Sequence, residues 1–185
     1  MTRLPGMPPS SLDDAQRALH DAIAGGERAN GPFPLVDEDG ALVGPFNAML
    51  LQPALGEALQ ALGSAVRYRT SLSGRAREIA VLTVARVWES DFETYAHRAA
   101  GLAAGLSAAE LDATRFGDPY EQLVADTTVA LAVRGDLTDA EFTAARDGLG
   151  EATIFELTTL VGYYATLALQ LRVFRVSSPG RTLPS

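Results

Sequence analysis

The sequence contains neither cysteine nor lysine. Without a thiol, the chain cannot form a disulfide, a thiolate nucleophile, a cysteine-ligated zinc site or a dithiol redox centre. Without a lysine amine, it cannot form a Schiff base with a carbonyl substrate. Its two histidines, His20 and His97, lie far apart in the chain, which disfavours a histidine-rich metal site. Any chemistry is therefore left to carboxylates, one histidine, tyrosines and arginines.

Positive charge and long apolar runs are also scarce. The formal net charge is −8 at pH 7, which argues against a general binder of nucleic acids or of anionic membranes. No uninterrupted apolar run approaches the roughly 20 residues that span a bilayer, and residues 1–11 lack the apolar segment of a signal peptide. We therefore expect a cytoplasmic protein with no nucleic-acid partner and no membrane partner.

What remains is a chain of 185 residues in which helical periodicity dominates and strand signals are nearly absent. This length suits a single domain with a substantial core, and the pattern predicts an all-α fold of seven or eight helices. We divide the chain into an irregular N-terminal arm, first helix and long loop (residues 1–44), a helical domain (45–175) and a loose tail (176–185). The long connection at 27–46 is expected to cover a pocket or to wrap around a neighbouring subunit, and the sequence leaves both open.

Two helices carry expectations about burial. Pro53 is a typical first residue of a helix, and Leu55, Leu59 and Leu62 recur on one face, so we expect them to point inward. The last helix, about residues 150–174, is apolar on nearly all sides. We therefore expect it to be buried or to pack against another subunit.

The stretch with the most chemical content is residues 77–101, REIAVLTVARVWESDFETYAHRAAG. Glu93 and His97 are four residues apart, so in a helix their side chains lie one above the other on the same face. Glu78 opens the preceding helix, ahead of an almost entirely apolar run. Two carboxylates and an imidazole from adjacent helices have the composition of a proton-transfer site.

Each of these three residues also has a purely structural alternative. Ser90 and Glu93 have the spacing of a capping box, and because the pattern recurs at residues 107–110 and 138–141, pattern alone favours a capping role for Glu93. Glu78 has the spacing of an exposed ion pair with Arg75, which would contribute little stability. His97, taken alone, has the character of an ordinary interior or surface histidine.

The segment DFETYAHRAAGLAAGLSAAEL at 91–111 resembles the carboxymuconolactone decarboxylase-like family, within the alkylhydroperoxidase D-like superfamily. Redox members of the superfamily carry C-x-x-C-x-x-x-H at a helix start, with a glutamate one helix earlier. Ser90 and Glu93 stand in the two cysteine places, His97 in the histidine place and Glu78 in the place of the glutamate. Decarboxylase-like members often read E-Y-E-W-x-x-H here, and the G-L-S-x-x-E-L continuation is present. With PFNAMLLQPALGEAL and LVGYYATLAL, the resemblance extends over residues 45–175.

This resemblance implies an all-α enzyme that assembles as a homotrimer or homohexamer and uses no cofactor and no metal. Its reaction would be the decarboxylation of a small carboxylated lactone or β-keto-acid-like compound. His97 would be the general acid/base that protonates the carbanion or enolate, Glu78 would orient it, and Glu93 would position or polarise the substrate. Because both cysteines are replaced, a thiol peroxidase mechanism cannot run on Ser90 and Glu93.

Five neighbouring residues are candidates for substrate contacts, namely Trp88, Ser90, Phe92, Tyr95 and Arg98. The aromatic residues among them suit a core or a pocket wall, and the arginine is able to bind a carboxylate, although a solvated helix charge is the simpler interpretation. Two other functions stay open. One is a different proton-transfer enzyme, such as an isomerase or dehydratase, and the other is a non-catalytic ligand-binding protein of the same fold.

Overall fold

The computed structural model describes residues 2–176 and 178, and this part of the chain is all-helical. Its eight α-helices are α1 (Asp14–Ala24), α2 (Pro45–Met49), α3 (Pro53–Tyr68), α4 (Gly74–Val87), α5 (Asp91–Ala103), α6 (Pro119–Arg134), α7 (Asp139–Leu149) and α8 (Glu151–Phe174). Short 3-10 helices occur at Pro9–Ser11, Glu27–Asn30 and Glu110–Asp112. Within residues 2–176, the extended pairing is a single antiparallel bridge between Val36 and Leu42. The predicted all-α fold is therefore confirmed, while most of the predicted tail lies outside the described residues.

Helix α4 forms the centre of the fold. It packs against α5, α6 and α8, and its residues 78–85 are all buried. Being enclosed by three other helices explains why this stretch is apolar around its whole circumference rather than along one stripe. Glu78, at the start of this run, is therefore held inside the protein.

The N-terminal region that the structure describes, residues 2–44, contributes side chains to the same hydrophobic core. Leu19 and Ile23 of α1 and Leu35 and Leu42 of the long loop belong to the buried cluster that also contains Leu157 of α8. His20 is buried as well, with Nε2 2.9 Å from the carbonyl oxygen of Gly40. The loop is thus attached to α1 and packed onto the helical core.

The two expectations about helix faces have different outcomes. Leu55 and Leu62 are exposed to 66% and 41%, so the prediction that they point inward is wrong, whereas Leu59 is partly buried against the core. Helix α8 is long and apolar enough to cross a membrane, but half of its most apolar window is buried inside this fold, as in a core helix. Its remaining face exposes apolar side chains, among them Phe155 and Leu169.

Gly44 permits a close contact between the long loop and α5. Its φ is +69°, and a Cβ atom there would lie 2.2 Å from Cζ of the buried Phe92 ring. We expect Gly44→Ala to lower the free energy of unfolding by about 2–3 kcal/mol, because the backbone is strained and the ring must move. Gly150→Ala is the matched control, since Gly150 combines a positive φ of +85° with an extended ψ, as Gly44 does, but has open space around it, and it should cost about 1 kcal/mol less than Gly44→Ala. Urea unfolding measures both, and equal losses would contradict a role for the Phe92 contact.

Candidate active site

Glu78 is the most deeply buried ionisable residue of the site, with 1% of its surface exposed. Its Oε2 lies 2.6 Å from Nδ1 of His97, and its Oε1 lies 3.3 Å from Nη1 of Arg67 on α3 and 3.6 Å from Nε of Arg77. The alternative of an exposed ion pair between Glu78 and Arg75 is therefore wrong. Arg75 instead pairs with acidic residues on other elements, Glu110 and Glu121.

His97 lies between two carboxyl groups. Its Nδ1 faces Glu78, and its Nε2 is 3.4 Å from Oε2 of Glu93, one helical turn earlier on α5. A carboxylate at 2.6 Å accepts a hydrogen bond from Nδ1–H. This bond fixes the tautomer of the neutral ring and leaves the Nε2 lone pair directed away from Glu78. The Tyr164 ring meets the imidazole edge to face, with centroids 5.1 Å apart. His97 therefore has one nitrogen held and one nitrogen able to exchange a proton.

Glu93 turns towards this cluster and does not cap its helix. Ser90 is the N-cap residue of α5, but its side chain makes no capping hydrogen bond, so the predicted capping box is wrong. The same pattern does form at the other two places, where Glu110 bonds Ser107 and Glu141 bonds Thr138. The difference is burial, because Glu93 is 3% exposed and packs inside the fold, whereas the other two glutamates lie at the surface.

The two buried carboxyl groups are driven towards opposite charge states. Burial by itself would raise the pKa of Glu78, but the charge and hydrogen bond of His97, together with Arg67 and Arg77, outweigh it and lower that pKa. Burial raises the pKa of Glu93, and the charges of His97 and Arg28 oppose this effect only in part. The surroundings thus favour the ionised form of Glu78 and disfavour ionisation of Glu93. Paired carboxyl groups with divergent pKa values are typical of acid/base sites.

The three residues meet at a cavity of about 80 Å³ beneath the long loop. Glu93 and His97 line it from α5, and Glu78 lies directly behind the imidazole. The other lining residues are Arg28, Gly31, Pro32, Phe33, Leu35, Pro45, Phe46, Arg67, Phe92, Ala96, Ala100, Tyr163, Tyr164 and Leu167. Five of these come from residues 28–35, so the long loop covers the pocket, which is one of the two arrangements the sequence allowed.

Of the five candidate substrate contacts, Phe92 lines this cavity. Tyr95 is 44% exposed and touches the ring of Phe33 from outside, with centroids 5.8 Å apart. Arg98 pairs with Asp112 at the surface. Ser90 is buried and Trp88 packs against the core, but neither belongs to the lining. Apart from Phe92, the structure therefore brings none of these candidates to the pocket.

Sequence reasoning missed four polar residues that line the cavity. Arg28 comes from the 3-10 helix at 27–30, Arg67 from the end of α3, and Tyr163 and Tyr164 from the middle of α8. They lie 30 or more residues from His97 in the chain, so no local spacing pointed to them. Burial raises the pKa of Tyr163 to about 12, which keeps its hydroxyl protonated.

Among the described residues, no three His, Asp or Glu side chains are arranged to hold a metal ion.

Comparison with known proteins supports the resemblance indicated by the sequence. The model of the Carboxymuconolactone decarboxylase family matches residues 53–134, a segment that contains Glu78, Glu93 and His97. A solved structure of similar fold is described as the alkylhydroperoxidase AhpD core of an uncharacterized peroxidase-related protein from Ralstonia eutropha JMP134. The two chains are 16% identical, with a TM-score of 0.73 over 97% of this chain and 93% of that one, so this likeness establishes the fold alone. No curated protein sequence matches the chain.

Proposed function

Because residues 53–134 match the carboxymuconolactone decarboxylase family, we propose that this protein is a cofactor-free enzyme that transfers protons on a small carboxylated compound. A carboxylated lactone or a β-keto-acid-like compound is the proposed substrate class, and decarboxylation is the proposed reaction. The observation that carries this proposal is the position of His97 between the carboxyl groups of Glu78 and Glu93, at the wall of a cavity.

The proposed reaction needs one proton donor and one site for transient negative charge. When the bond between the carboxylate carbon and its neighbour breaks, CO₂ leaves and the electron pair passes into the adjacent carbonyl as an enolate. In its doubly protonated form, His97 delivers a proton from Nε2 to the enolate carbon and returns to the neutral Nδ1–H tautomer, while Glu78 stabilises the imidazolium before the transfer. When it carries a proton, Glu93 donates a hydrogen bond to the developing enolate oxygen or returns that proton to His97, and solvent replaces the proton that the reaction consumes.

Assembly as a homotrimer or homohexamer in the cytoplasm also remains a proposal. It is supported by large apolar side chains that the single chain leaves exposed, among them Leu55 on α3 and Phe155 and Leu169 on α8. Exposed large apolar side chains of this kind are candidates for burial in contacts between copies of the chain.

Deuterium incorporation tests the proposed chemistry directly. The protein is incubated in D₂O with a panel of small carboxylated lactones and β-keto acids, and mass spectrometry records both CO₂ loss and deuterium at the adjacent carbon. Incorporation together with CO₂ loss is the expected result. Incorporation without CO₂ loss would favour the isomerase or dehydratase alternative, and neither signal with any compound would favour a ligand-binding protein. Peroxide reduction by a thiol mechanism should be absent in every case.

Replacing Glu93 with glutamine should make the protein more stable at pH 8. Burial raises the pKa of Glu93, with Glu78 adding to the effect and His97 and Arg28 opposing it. A raised carboxyl pKa gives stability that is present below the unfolded-state value and is lost as pH rises through the folded-state value. Glutamine stays neutral, so Glu93→Gln should raise Tm at pH 8 by about 2–4 °C and have little effect near pH 4. Thermal unfolding at both pH values checks this, and a lower Tm at pH 8 would contradict it.

A further inference from the structure

Arg28 carries a buried guanidinium group whose hydrogen bonds are incomplete. Its Nε and Nη2 atoms are inaccessible to solvent and make no hydrogen bond of ordinary geometry in the described part of the chain, although the hydroxyl of Tyr163 lies nearby. The group lies over the ring of Phe46, with 5.5 Å from Cζ to the ring centroid, and it lines the cavity beside His97. A buried charged donor without an acceptor is costly in free energy, so a ligand that supplies the acceptor is the expected explanation.

Two further polar atoms of residues that line the cavity are also buried without a satisfactory hydrogen bond. Oη of Tyr163 and Oε1 of Glu93 are buried without a well-formed hydrogen bond. Tyr163 and Arg28 also lie close together, because a Cβ atom built on Gly63 would be 2.1 Å from Oη and 2.7 Å from Nη2 of Arg28. Arg28 and Tyr163 are therefore neighbouring hydrogen-bond donors, which suit a ligand that supplies oxygen acceptors.

The charges around the cavity select an anion. Arg67 is committed to Glu78, to which Arg77 is also adjacent, and Arg28 has no carboxylate within 4.0 Å among the described residues. The three guanidinium groups of Arg28, Arg67 and Arg77 thus lie near only two carboxyl groups, those of Glu78 and Glu93. This local excess of positive charge is notable in a chain whose net charge is −8. A planar carboxylate matches the fork of a guanidinium better than other small anions of low charge do.

We propose that Arg28, assisted by the hydroxyl of Tyr163, binds a carboxylate group of a small ligand whose apolar part contacts Phe33 and Phe92. This assignment deepens the proposed function and rests on it, because it names the residue that anchors the substrate next to His97. The anchor comes from the loop that covers the cavity, so the ligand and the loop are held together by the same contact. Arg28 acts in binding, whereas His97 acts on protons.

Calorimetric titration with crotonate and benzoate, each compared with its neutral amide, tests the anchor. The wild-type protein should bind each carboxylate at least 10-fold more tightly than the amide. Arg28→Gln should lose at least 10-fold in carboxylate affinity and leave amide affinity unchanged, and Arg28→Lys should recover part of the loss. Arg146→Gln is the control, because Arg146 pairs with Asp147 on the surface of α7, and it should bind as the wild type does.

The outcomes separate this inference from the proposed chemistry. Equal wild-type affinity for acid and amide, or an Arg28→Gln variant that binds carboxylates normally, would overturn the role of Arg28 even if deuterium is incorporated. Conversely, carboxylate binding that depends on Arg28 in a protein that incorporates no deuterium would leave the anchor standing and reject the enzyme. The wild-type acid-to-amide ratio does not depend on any variant folding, so the inference stays testable if Arg28→Gln is unstable.

Discussion

Replacing His97 with glutamine is expected to lower turnover by about 10²–10⁴-fold, the range typical for loss of a general acid/base. The imidazole is the group in the cavity wall that has one nitrogen held by a carboxylate, Glu78, and the other facing a second carboxyl group, Glu93. Glutamine has a similar reach and can still accept and donate hydrogen bonds, but it cannot carry a proton between a donor and an enolate. The loss should therefore fall on kcat more than on KM.

His20→Gln is the matched control for this prediction. His20 is also buried, but it lies outside the cavity and donates towards the carbonyl oxygen of Gly40, a bond that a glutamine amide is able to replace. Turnover should stay at the wild-type level in this variant. Deuterium incorporation and CO₂ release are followed in both variants with the same substrate. Unchanged turnover in His97→Gln would reject His97 as the proton-transfer residue.

Replacing Glu78 with alanine is expected to lower the free energy of unfolding by about 3–5 kcal/mol at pH 7, the usual cost of removing one partner of a buried ionic cluster. The substitution leaves Arg67 and Arg77 beside a cavity without their shared carboxylate, and it also removes the acceptor that holds Nδ1 of His97. Activity should fall with stability, because the imidazole loses its fixed tautomer.

The pH dependence of this loss has a definite sign. The pKa of Glu78 is lowered: burial acts to raise it, but His97, Arg67 and Arg77 outweigh burial. A lowered carboxyl pKa gives stability that is present above the unfolded-state value and disappears as pH falls through the folded-state value. The difference in the free energy of unfolding between the wild type and Glu78→Ala should therefore become smaller below about pH 4. Urea unfolding across this range measures it, with the exposed Glu57→Gln on α3 expected to stay within about 0.5 kcal/mol.

Local patterns were reliable where the determining contacts lie within one or two helical turns. The helix that begins at Pro53, the helix that ends before Gly135 and the long apolar α8 all appear as the sequence predicted. The shared face of Glu93 and His97 follows from their spacing alone, and they do approach to 3.4 Å. Glu78 was placed with them through the family pattern rather than through spacing, because it belongs to a different helix.

Predictions from local patterns failed where a segment has two favourable local arrangements and tertiary packing determines which of them forms. Ser90 and Glu93 have the same spacing as the two capping boxes that do form, yet burial of Glu93 directs its carboxyl group into the cavity. Leu55 and Leu62 have the periodicity of a core face and are exposed, because α3 turns a different side towards the core. In both cases the arrangement predicted from the sequence is energetically reasonable for the isolated helix.

By itself, then, the sequence determined the helical class, most helix ends, the exclusion of thiol and Schiff-base chemistry and the acid–histidine pair of α5. These depend on residue identity and on neighbours within about four positions. Only the tertiary structure decided that the pKa values of Glu78 and Glu93 shift in opposite directions, that the long loop covers the cavity and that Arg28 lines it. Charge state and burial depend on groups brought together from distant parts of the chain, and no short-range spacing encodes such contacts.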